Sequence, residues 1–120
     1  MALTPRCVTI ATGYFDLLRA EHARELGELG DAVRHRIPPG SLLVAVLPLS
    51  GAILSQRARA ELVAALRMVD YVVAADHRDL EQLVAAIEPP EVIRFEAADA
   101  QRAQQLTEHV IDLFWHRKNR

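Results

Sequence analysis

Four short apolar runs, each separated from the next by a segment with helical spacing, constrain this chain more than any other feature of its sequence. They cover residues 7–12, 42–47, 71–75 and 92–95. The second is apolar at every position, which is the pattern of a strand covered on both faces rather than one with a wet side. Gly13 ends the first run, Pro48 the second, and Pro89-Pro90 set off the fourth. Strands that alternate with helices pair in parallel, because each crossover returns the chain to the same end of the sheet. The alternation therefore predicts an α/β fold of βαβαβαβα order, a three-layer Rossmann-like sandwich with a parallel sheet. The first strand is expected to be central, in spatial order 2-1-3-4.

The intervening segments supply the covering layers. Leu18, His22, Leu26 and Leu29 recur at spacings of four and three and share one helical face, with Glu21, Arg24, Glu25 and Glu28 directed to solvent. Ala58, Leu62, Ala65, Leu66 and Val69 mark a second stripe in an Ala-rich segment from about Ser55. Asp76, followed three residues later by Asp79, suits a third helix start, with Leu80, Leu83, Val84 and Ile87 facing inward. A last helix is expected from about Asp99 to Arg117, presenting Ala103, Leu106, Val110, Leu113 and Phe114. Residues 30–40 read as a long loop whose Arg34-His35-Arg36 cluster is a solvated turn or a ligand contact.

At 120 residues the chain is expected to form one domain, residues 1–120, around one core. Its net charge of −2 gives no field that would steer it to DNA or RNA, so no nucleic-acid partner is expected. No apolar run approaches the roughly 20 residues of a membrane helix, so no membrane partner is expected either. The single cysteine, Cys7, cannot close a disulfide within the chain and reads as a small buried hydrophobe in a reducing compartment, the cytoplasm. The histidines His35, His77, His109 and His116 stand at no metal-ligand spacing. Phe114 and Trp115 are adjacent on the last helical pattern, about 100° apart, so one core face cannot bury both. With Tyr14 and Ile53 they leave apolar surface that a homodimer would cover.

In open α/β sheets ligands sit at the carboxyl ends of strands where strand order reverses, which directs attention to the exit of the first strand. There Gly13 would let backbone amides approach a phosphate, and the following helix N-terminus favours anions. Arg19 and His22 lie three apart, on one face of that turn, and both are suited to donate to phosphate oxygens. A bare helix start accounts for the same residues, and both readings stand at this stage.

Two blocks add a resemblance to this reading. Gly13-Tyr14-Phe15-Asp16-Leu17-Leu18 resembles the G-x-F-D-hydrophobic-hydrophobic entry to the H-x-G-H motif of the cytidylyltransferase-like nucleotidyltransferases, in the branch of ADP-heptose synthase and glycerol-3-phosphate cytidylyltransferase. Residues 59–73, beginning Arg59-Ala60-Glu61 and ending Val69-Asp70-Tyr71-Val72-Val73, resemble that family's R-A-E helix and V-D-x-V-V strand. The resemblance implies His22 and Arg19 as the catalytic pair at the two histidine positions. It implies Gly13, Tyr14, Phe15, Asp16 and Arg59 as nucleotide- or phosphate-binding residues, with Asp16 near the acceptor or magnesium.

It also implies a nucleoside triphosphate as substrate or ligand, and Mg2+ if the protein is active. Arg19 stands where the first motif histidine belongs, and Glu21 replaces the motif glycine with a carboxylate that opposes phosphate. No lysine precedes Lys118, and Asp99-Ala100-Gln101 occupies the place of a Ser/Thr-rich phosphate-binding turn. The sequence therefore points to a degenerate nucleotidyltransferase-type domain that binds a phosphate or nucleotide with little or no catalysis. The alternative is an active enzyme that joins a nucleoside monophosphate to a sugar or polyol phosphate and releases pyrophosphate.

Overall fold

A computed structural model of the protein describes residues 7–97, apart from 17 and 19. Within them the chain runs β1 (Val8–Gly13), α1 (Ala20–Arg34), β2 (Ser41–Val46), α2 (Gln56–Ala64), β3 (Tyr71–Ala74), α3 (His77–Ile87) and β4 (Val92–Arg94). All pairings are parallel, from Val8 opposite Ser41 to Gly13 opposite Val46 between β1 and β2. The α/β class and the parallel sheet are as the alternation predicts. The last expected helix lies outside the described residues.

Strand order differs from the expectation of 2-1-3-4: it is β3-β2-β1-β4. The two six-residue strands are both interior and nearly all of their residues are buried, whereas β3 and β4 are short edges. Two successive crossovers carry the chain from β1 through β2 to β3, and the third returns it to the far side of β1. Strand order therefore reverses between β1 and β4, and the crevice of such folds belongs at that point.

Period-two alternation divides the core into two layers. On one face Ala11, Leu42, Val44 and Val46 meet Leu26 of α1 and Val63 of α2. On the other, Val8, Ile10, Leu43, Ala45 and Leu47 meet Leu80 and Ile87 of α3. Helix α3 begins as expected, with the Asp76 carboxylate accepting from the Asp79 amide at 2.7 Å and the Asp79 carboxylate accepting back from Asp76.

Three expectations are corrected. Helix α2 ends at Ala64 and buries Arg59 and Val63, so within the helix the inward stripe is turned by one residue from Ala58 and Leu62, and Leu62 is exposed; Leu66 and Val69, beyond the helix, pack on the core as expected. Helix α1 continues through Gly30 to Arg34. A Cβ on Gly30 would run into the Met68 backbone carbonyl, so glycine serves close packing there rather than helix termination. Cys7 is half-buried rather than core.

The basic cluster at the end of α1 is a surface clasp. Arg34 pairs with Asp70 at 2.7 Å, and Arg36 reaches both Glu91 and the Thr9 hydroxyl. Among the described residues no helix is long and apolar enough to cross a membrane.

Candidate functional site at the mouth of the first strand

The exit of β1 is tightly tied to the exits of its neighbours. Gly13 closes β1, its carbonyl accepting from the Leu47 amide at 2.9 Å. Any side chain on Gly13 would meet the Phe15 ring, with a Cβ only 2.6 Å from the ring tip. The glycine is thus required by the protein's own aromatic ring, which folds back beneath the turn. Phe15 itself holds a left-handed φ of 50°, a conformation that costs a bulky residue of order 1–2 kcal/mol. That cost is offset by burial, because the ring is 1% exposed and packs 5.9 Å from Phe95 and 5.7 Å, edge-on, from His22.

Asp16 and Arg59 hold this corner from opposite sides. The Asp16 carboxylate accepts from the Ile53 amide at 2.8 Å and the Leu54 amide at 3.0 Å, joining the β1 exit to the loop before α2. Those two amide bonds, with the Arg59 charge adding to them, hold its pKa below the ordinary aspartate value. The Arg59 side chain turns inward, only 2% exposed. Its guanidinium donates to the carbonyls of Tyr14 and Leu47, each at 2.7 Å, and of Leu54 at 3.2 Å.

The sequence-selected residues therefore fall into two groups. Gly13, Tyr14, Phe15, Asp16 and Arg59 lie together at the β1 exit, joined by contacts within the protein. His22, in the first turn of α1, is 3% exposed and lies against Phe15. Arg19 lies outside the described residues, as do Phe114 and Trp115. Glu21 is exposed.

Sequence reasoning missed one pair. At the β1–β4 junction, where Thr12 is in register with Arg94, the Thr12 hydroxyl donates to Glu96, 2.7 Å and 2.9 Å from its two carboxylate oxygens. The signal that would have found Glu96 is positional: it follows the fourth apolar run at the same end of the sheet as Gly13.

The chain has an open parallel α/β sheet with a glycine at the exit of its first strand, beside the reversal of strand order, the point at which ligands sit in folds of this class. The structure is similar to that of the lipopolysaccharide core biosynthesis protein from Thermoplasma volcanium GSS1, with a TM-score of 0.50 and 23% sequence identity. The match covers 71% of this chain and 70% of the other and shows a shared fold. No protein-family model and no curated protein sequence matches the chain.

Proposed function

We propose that this chain is a cytoplasmic, phosphate- or nucleotide-binding domain of nucleotidyltransferase type with little or no catalysis. The observation that carries the reading is the double character of the β1 exit. What favours an anion is position: the turn lies at the strand exit beside the reversal of strand order and precedes the N-terminus of α1. Meanwhile the side chains the resemblance would use for chemistry are engaged inside the protein: Asp16 by two amides, Arg59 by three carbonyls, and His22 by burial against Phe15.

Phosphoryl transfer is catalysed by groups aimed at the transferring phosphate. A guanidinium that gives three hydrogen bonds to carbonyls and a carboxylate that accepts two amides supply structure to that region. With Arg19, Gly13 and Tyr14, the backbone amides of residues 14–20 are the groups we assign to phosphate. The lone Cys7 supports the reducing compartment, and a homodimer completes the assembly we assign.

Magnesium belongs to the catalytic alternative, and the donor set does not fit an ion held by the protein. Among the described residues no three His, Cys, Asp or Glu side chains gather to hold a metal. No step of the proposed function passes through the ion. The test is pyrophosphate release from ATP or CTP with sugar and polyol phosphates as acceptors. Turnover at the background rate is expected, and robust turnover by the unmodified chain would establish the active enzyme in its place.

A further inference from the structure

Resting on the phosphate reading, one carboxylate at the same sheet edge points to what the rest of the ligand carries. Glu96 follows β4 at the reversal of strand order, and its side chain is only 12% exposed. Thr12, itself fully buried, supplies one hydroxyl proton shared between the two Glu96 oxygens. Arg94 approaches to 3.8 Å, beyond hydrogen-bond reach, with its own side chain largely in solvent.

A carboxylate has about four lone-pair positions. Among the described residues a single proton meets them. Largely buried polar groups normally have their capacity filled, so a carboxylate left this open marks a place where donors are expected to arrive from outside. A phosphate is excluded as that donor by charge. A metal ion would need further ligands, and none gather there among the described residues. Neutral hydroxyl groups fit: two adjacent hydroxyls can each give one proton to one of the two carboxylate oxygens.

We propose that Glu96, held in place by Thr12, recognises a vicinal diol on a phosphate-bearing ligand bound between the exits of β1 and β4. Glu96 is then a ligand-binding residue and Thr12 a positioning residue that fixes the carboxylate and takes up part of its capacity. A ribose and a polyol carry the same diol chemistry, and the experiment separates them.

The full chain and Glu96→Gln are titrated calorimetrically with AMP against 2′,3′-dideoxy-AMP, and with glycerol 3-phosphate against propyl phosphate. In the wild type the diol-bearing member of one pair binds about tenfold more tightly, the effect of a hydrogen bond to a charged group. The pair that shows the preference identifies ribose or polyol as its source. Glu96→Gln reduces the preference to about twofold. Thr12→Val, which keeps the shape of the side chain, lowers the preference in the same direction and serves if Glu96→Gln does not fold. Absence of a preference in the wild type, or one unchanged in both variants, overturns the inference and leaves the phosphate reading intact. Failure of the wild type to bind any of the four compounds overturns the phosphate reading, and the inference with it.

Discussion

Replacing Arg59 by methionine removes a buried cation while keeping much of its apolar stem, and isolates what its hydrogen bonds contribute. The two 2.7 Å bonds, to the carbonyls of Tyr14 and Leu47, are the substantial ones; the bond to Leu54 is longer, at 3.2 Å. Hydrogen bonds to a charged group contribute about 1.5–3 kcal/mol each, so the two short ones amount to roughly 3–6 kcal/mol. Against this, the variant is relieved of desolvating a guanidinium and regains some apolar contact, together about 1–2 kcal/mol.

A net loss of about 3 kcal/mol is expected, a large part of the roughly 5–15 kcal/mol that stabilises a domain. With a urea slope of about 1.5 kcal/mol/M, the midpoint falls by about 2 M. Arg59→Lys keeps the charge but presents one nitrogen in place of the planar fork, and should recover less than half of the loss. Denaturation followed by circular dichroism measures both. A midpoint for Arg59→Met equivalent to less than about 1 kcal/mol below wild type would refute the view that this guanidinium holds the strand exits together.

The lowered pKa of Asp16 makes its clasp pH-dependent. Because the folded-state value is depressed, the stabilisation is present above the unfolded value of about 3.9 and is lost as pH falls through the folded value. The stability gap between wild type and Asp16→Asn should therefore shrink on acidification below about pH 4; a gap constant down to pH 2 would exclude it. Gly30→Ala sets a methyl group against the Met68 carbonyl and should cost about 2–3 kcal/mol, read as a lower urea midpoint at unchanged slope. Sedimentation of wild type beside Trp115→Ala tests assembly: a dimer weakened by the substitution is expected, and a wild-type monomer at micromolar concentration removes the homodimer.

What could be read from the sequence follows from the range of each interaction. The strands and the start of α3 were legible, because period and capping are local: Asp76 and Asp79 are three residues apart and form the box their spacing requires. Strand order was not. Handedness limits the crossovers, but strand patterns that suit burial in both β1 and β2 do not say which of them lies beside β3.

The inward stripe of α2 was missed for a different reason. A hydrophobicity pattern places arginine outside, whereas three carbonyls reached across 5, 12 and 45 positions of sequence draw Arg59 in. The candidate site was legible as a location, through Gly13 and the reversal of strand order, and much less so as chemistry. Asp16 finds its partners 37 and 38 residues away, and Thr12 meets Glu96 across 84. No local motif encodes either pairing, and both decide what the mouth of β1 can offer a ligand.

Calorimetric titration of the unmodified chain with ATP and CTP, with and without magnesium, tests the central claim most directly. Saturable binding of a nucleotide, little altered by magnesium because the phosphate is held by the protein's own amides, is the predicted result. No heat of binding with either nucleotide under either condition would contradict it and leave the fold without the anion site assigned to its first strand.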